Sequence, residues 1–181
     1  MEANQGQRDV LGEIYNRHFG RVYSYVRTKV SQVADAEDIV AETFEQASRS
    51  LAGFDSSRGS VAAWLIGIAR HRVARHYRRR MPASSPGSGD DGVDGVDGFV
   101  DPRPSPEEAL HLSFERRRVL EALGQLPRQP REAVVLRYLV GLENAEVART
   151  MGVSRGHVAV LVHRGLAKLR TILKELEERD D

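Results

Sequence analysis

Residues 142–170, LENAEVARTMGVSRGHVAVLVHRGLAKLR, hold the side chains most capable of specific recognition chemistry. Met151, Gly152 and Val153 form a tight turn between two stretches of helical periodicity, and Ser154 is placed to cap the second. In a helix-turn-helix, the first turns of the second helix enter the major groove. The outward residues there are Arg155, Gly156, His157, Ala159 and Val160. An arginine can pair with guanine through two hydrogen bonds, a histidine can donate to a base or phosphate, and Ala or Val can touch a thymine methyl. Further along, His163, Arg164, Lys168 and Arg170 are better placed for phosphates. The same pattern also fits a helical bundle with a solvated basic face.

A second cluster lies at the end of the N-terminal half. Arg70, His71, Arg72, Arg75, His76, Arg78, Arg79 and Arg80 occupy eight of eleven consecutive positions. Such density attracts a phosphate backbone through counterion release, without reading sequence. Trp64 lies at helical spacing with Val61, Leu65 and Ile68, so it is expected in the core rather than as a platform for unpaired bases. A third cluster is acidic: Asp35, Glu37, Asp38, Glu42 and Glu45 accompany a firm apolar stripe. It suggests a basic protein partner or a solvated helix stabilised by its dipole. His71 and His76 are at non-ligand spacing, and no residue set makes a zinc site or catalytic triad, so neither metal nor cofactor is expected.

Positioning these clusters requires helices, and the apolar periodicity supplies them. Leu11, Ile14, Tyr15, Phe19, Val22, Tyr23, Val26 and Val30 recur at three- and four-residue steps. A second helix, with Asp35 as its expected cap, buries Ile39, Val40, Phe44, Ala47 and Leu51. The turn-rich GFDSSRGS follows, and Ser60 can cap a third helix that buries Val61, Trp64, Leu65, Ile68, Ala69 and Val73. In the C-terminal half, Ser105 and Pro106 open a helix expected to reach about Leu123. REAVVLRYLVG forms a short helix stopped by Gly141, and Val158, Leu161, Val162, Leu166, Leu169 and Leu173 line the last one.

Between the halves, Pro82 to Pro106 reads PASSPGSGDDGVDGVDGFVDPRPSP. That composition predicts a flexible acidic linker spanning roughly 25 to 30 Å as a random coil. It reads as a solvated tether, with occupation of a partner's basic channel as the alternative. Net charge is +1 overall. Residues 1–81 hold thirteen basic side chains against nine acidic, 82–106 one against five, and 107–181 thirteen against twelve. The 181-residue chain contains no cysteine, which excludes disulfides, thiolate metal sites and cysteine nucleophiles. No secretory or membrane-spanning pattern is present, so a cytoplasmic protein without membrane insertion is expected.

Together these residues resemble the extracytoplasmic-function (ECF) group of bacterial RNA polymerase sigma factors. DAEDIVAETFEQA is similar to that family's polymerase-binding helix, and FDSSRGSVAAWLIGIARHRVARHYRRR to its minus-10 reading and melting segment. LPRQPREAVVLRYLVGLENAEVARTMGVSRGHVAVLVHRGLAKLR is similar to its minus-35 reading domain. The resemblance implies an all-α chain: sigma domain 2 over 1–81, the linker over 82–106, and a helix-turn-helix sigma domain 4 over 107–181. Asp35, Asp38 and Glu42 would dock on the clamp of core RNA polymerase, whose flap is a further contact. Phe54, Asp55, Ser56, Ser57 and Arg58, with Arg70, His71, Arg75, Arg78 and Arg79, would hold the opened minus-10 strand. Arg155, Gly156, His157, Ala159, Val160, Arg164 and Lys168 would read minus-35. An anti-sigma factor is the implied regulator, and no catalytic activity is implied.

Some positions depart from the family's habit. It commonly has asparagine at the place of His71, an acid at Arg75 and a basic residue at Ala159. Glu143 stands where Ser or Thr often caps the helix, although Asn144 could serve. The alternative reading is a stand-alone helix-turn-helix regulator whose N-terminal half senses or dimerises; it would have no use for an acidic docking helix beside an Arg-rich one.

Overall fold

The computed structural model describes residues 2–80 and 114–180. The expected linker and the expected helix start at Ser105 lie outside the described residues. Within them the chain is helical, with no strand: α1 (Glu2–Arg27), α2 (Val33–Ser50) and α3 (Val61–Arg80), then α4 (Phe114–Gly124), α5 (Arg128–Val134), α6 (Asn144–Met151) and α7 (Arg155–Asp180). Two short 3-10 turns, Leu51–Gly53 and Ser56–Arg58, join α2 to α3.

In the first domain α1, α2 and α3 pack on one another. Val22, Val26, Ile39, Val40, Leu65, Ile66 and Ala69 fill the space between them, and burial of each large aliphatic side chain contributes roughly 1.5–3 kcal/mol. The buried face of α3 is turned slightly from the expected one. Ala62, Ile66 and Ala74 are buried with Leu65, Ala69 and Val73, whereas Trp64 and Ile68 are only partly covered. Side chains hold the turn after α1 by bonding its own carbonyls. Arg27 donates to the carbonyls of Val30 (2.8 Å) and Ser31 (2.5 Å), and the Tyr77 hydroxyl donates to Lys29 O (2.5 Å).

Helix α2 corrects one expected cap. It starts at Val33 after Gln32, which makes no side-chain capping bond, so Asp35 lies inside the first turn. There its carboxylate still favours the positive end of the dipole while pairing with Arg80 on α3.

The second domain is built around α7. Helix α5 begins at Arg128, three residues before the expected start, because Pro130 falls in the first turn, where a missing N–H costs nothing. It continues as one π turn over Val135–Leu139 and stops at Gly141, whose φ of 80° is left-handed. Helix α5 crosses α7 at Gly165. A Cβ there would lie 2.6 Å from Val134 Cγ2 and 3.0 Å from Pro130 O. Gly165→Ala should therefore force the helices apart and destabilise the domain by about 1–3 kcal/mol, read as a lowered thermal midpoint. An unchanged midpoint would show that this crossing yields freely.

Candidate nucleic-acid interface

The recognition helix is set by its own first turn. Ser154 Oγ accepts the His157 N–H at 3.2 Å, and Gly152 takes the left-handed turn at φ 68°. Buried Val158 and Leu161 pin α7 to the domain. Those anchors leave Arg155, Gly156, His157, Ala159 and Val160 exposed on the outward side, as expected. His163, Arg164, Lys168 and Arg170 are also exposed, one to four turns further along. The preceding helix α6 is capped at Glu143, not Asn144, and the Glu143 N–H donates to the Glu146 carboxylate at 3.2 Å.

The turn-rich loop is ordered by its aspartate. The Asp55 carboxylate accepts from the Ser57 hydroxyl (2.7 Å) and the Ser57 N–H (2.9 Å), and these bonds hold its pKa below the usual range. Ser60 Oγ accepts from the Ala63 N–H at 3.2 Å, confirming the expected cap of α3. Phe54 packs against Trp64 in a tilted contact, with centroids 4.9 Å apart and planes inclined at 42°, so the partly exposed Trp64 supports the loop as well as the core. Asp55, Ser56, Ser57 and Arg58 are exposed.

Along α3, His71, Arg75, Arg78 and Arg79 are exposed, and the spacing of 71, 75 and 78 puts them on one side. Arg70 does not join them. It is partly buried, donating to Thr150 O at 2.9 Å and meeting Glu132 at 3.4 Å. Arg72 and Arg80 turn toward α2 instead. Arg72 reaches Glu42 (3.5 Å) and Gln46 (3.0 Å), while Arg80 pairs with Asp35. Of the three expected docking acids, Asp38 is exposed, Glu42 is partly exposed and Asp35 is shared with Arg80 and His76. The acidic and basic clusters, 30 or more residues apart in sequence, thus meet along one groove.

Two acids that sequence reading passed over join the domains. Glu132 on α5 is 5% exposed and receives the Tyr25 hydroxyl (3.1 Å), the Lys29 ammonium and Arg70. Burial alone would raise its pKa, but Lys29 and Arg70 more than offset that and hold the carboxyl below its ordinary value. Glu146 on α6 accepts the Ser60 N–H at 2.8 Å. Around that contact a cleft of about 410 Å³ opens between the loop and α6, with Phe54, Arg58, Trp64 and Arg149 in its walls. The only sequence signal at Glu132 was an acid beside the apolar run AVVL; its partners lie more than 60 residues away.

Comparison with known proteins decides the family. Residues 14–82 match the sigma-70 region 2 model, and residues 116–169 match a sigma-70 region 4 model. The sigma factor CarQ of Myxococcus xanthus is 30% identical over 172 residues, covering 95% of this chain and 94% of CarQ. The chain belongs to the ECF family of RNA polymerase sigma factors. The ECF sigma factor BldN of Streptomyces coelicolor is 33% identical over 96% of this sigma factor, which spans 64% of BldN's length. In structure, this sigma factor is similar to CnrH of Cupriavidus metallidurans in complex with the cytosolic domain of CnrY. The TM-score is 0.68 and the identity 26%, over 96% of this chain and 94% of that one. Family membership makes it a transcription initiation factor, and the match of its first domain to region 2 removes the stand-alone regulator. No helix among the described residues is long and apolar enough to cross a membrane.

Proposed function

We propose a division of labour within this sigma factor. Residues 1–81 dock on the polymerase clamp through Asp38 and Glu42, with Asp35 beside them, and hold the opened minus-10 strand. The loop from Phe54 to Arg58 receives an unstacked base, while His71, Arg75, Arg78 and Arg79 hold phosphates. Residues 107–181 read minus-35 through Arg155 and His157, with Ala159 and Val160 against base methyls and Arg164 and Lys168 on phosphates. Residues 82–106 tether the two domains. The protein acts in the cytoplasm by recruitment and promoter opening rather than by catalysis, and an anti-sigma factor restrains it; CnrH, its structural relative, is bound by a partner's cytosolic domain.

The observation that carries this reading is the exposed first turn of α7. Arg155, Gly156, His157, Ala159 and Val160 are all exposed, on a helix fixed from behind by Val158 and Leu161. Promoter opening tests the other half. Replacing Phe54–Arg58 by Gly and Ser should spare polymerase binding and remove permanganate-reactive thymines at minus-10. Persistent reactivity in that variant would take the loop out of the opening step.

A further inference from the structure

We infer that the cleft between the Phe54–Ser60 loop and α6 is a binding site for a free nucleoside phosphate, with its base on the Trp64 wall and its phosphates on Arg58 and Arg149. The volume of about 410 Å³ falls within the range of about 300–1,000 Å³ that small-molecule sites occupy. One wall is aromatic. Phe54 and Trp64 are each only partly covered, and their planes are inclined rather than stacked, which leaves ring surface open to the cleft. Arg58 from the loop and Arg149 from α6 bring two exposed guanidiniums to the same space. Arg149 reaches the loop itself, since a Cβ on Gly59 would lie 3.7 Å from its Nη2. The two carboxylates of the cleft are already engaged: Asp55 accepts twice from Ser57, and Glu146 accepts the N–H groups of Ser60 and Glu143. Among the described residues neither guanidinium has a hydrogen-bond or ion-pair partner. The groups left to a ligand are therefore an aromatic surface and two cationic forks. A planar base stacks on the first, and phosphate oxygens take paired N–H bonds from the second. An inorganic anion would use only half of the site.

Arg149 is what separates a free nucleotide from one within a strand. In an opened promoter the loop meets the strand while α6 stays with the minus-35 helix. By their names those elements lie about 25 base pairs apart, or about 85 Å at 3.4 Å per base pair. A strand at minus-10 therefore lacks Arg149, whereas a free nucleotide bound to the protein as it folds alone has both arginines. The nucleotide also covers the wall on which the loop would receive a base. Binding of one excludes the other, so nucleotide concentration sets how much of the free sigma factor can take the minus-10 strand. This consequence rests on the proposed division of labour; the nucleotide site itself does not.

Trp64 is the single tryptophan of the chain, so its emission, excited where nucleotides do not absorb, reports on this cleft in the full-length protein. Adenosine and guanosine diphosphates should quench it saturably. The parent nucleosides should bind at least ~10-fold more weakly, and inorganic phosphate at the same concentrations should leave the emission unchanged. Arg58→Ala and Arg149→Ala, both at exposed positions and on separate domains, should each weaken the diphosphates at least ~10-fold. If one of the two variants loses helical content, the other carries the test from its own domain. A mixed-sequence single-stranded oligonucleotide should depend on Arg58 but not on Arg149, and the diphosphates should displace it. Emission unmoved by either diphosphate overturns the site. So does a loss of affinity in Arg78→Ala as large as that in Arg149→Ala, which would put the nucleotide on the basic face of α3. An oligonucleotide as sensitive to Arg149→Ala as the diphosphates overturns it too, because strand and free nucleotide would then be one ligand. If the diphosphates bind as stated and the oligonucleotide does not bind at all, the minus-10 reading of the loop fails and the nucleotide site stands.

Discussion

Reversing charge at both Asp38 and Glu42 to Lys should weaken core polymerase binding by at least ~100-fold while leaving helical content unchanged. The two carboxylates lie one turn apart on α2, with Asp38 exposed and Glu42 partly so. Placed against basic clamp residues, each reversal exchanges an attraction for a like-charge contact that costs several kcal/mol. Neither side chain enters the core, which at α2 is made by Ala36, Ile39, Val40, Thr43, Phe44 and Ala47. The structure adds a complication at Glu42, because its carboxylate also meets Arg72. A Lys there would repel Arg72, so Asp38→Lys alone serves as the cleaner comparison. Undiminished co-purification of core polymerase with the double variant would remove α2 from the docking surface.

Arg155→Ala should cost about 1–3 kcal/mol at one minus-35 base pair and relax the preference there, since a bidentate contact to guanine carries sequence information. Arg155 is the first residue of α7 and is exposed. The Ser154 cap and buried Val158 fix the turn that projects it, so truncation changes the contact rather than the helix. Lys168→Ala is the control. More than three turns further along, it should weaken all promoters alike and lower the salt dependence by about one unit of slope. Binding to a library of single minus-35 substitutions at two salt concentrations separates the two outcomes. If Arg155→Ala weakens every sequence equally, Arg155 holds backbone, and specificity passes to His157 or to DNA shape.

Local chemistry made much of this legible beforehand. Ser154, Gly152, Ser60 and Gly141 each announce a cap, turn or stop through a side chain or a permitted backbone angle, and each acts where its type predicts. Where local rules compete, the reading slipped by a few residues. Asp35 looked like a cap, yet nothing prevents α2 from starting at Val33, and Arg80 offers its carboxylate a partner. Trp64 fitted the apolar spacing of α3, but its size and Phe54 draw it toward the loop while Ile66 takes the centre of the core. Contacts between the domains were beyond any local pattern. Glu132 meets Tyr25 across 107 residues and Glu146 meets Ser60 across 86, so only the folded chain reveals why those acids lie where they do. Arg70 shows the same limit, since composition placed it with the arginines expected to meet phosphates and packing directs it to the second domain.

The central claim is that this chain gives core polymerase promoter specificity, and it is tested most directly by transcription from a randomised promoter library with core polymerase alone and with the protein added. Sequencing the transcripts should show new, defined start sites that depend on the protein and share one motif near minus-10 and another near minus-35. Start sites identical to those of core polymerase alone, or dependent starts with neither motif upstream, would contradict it.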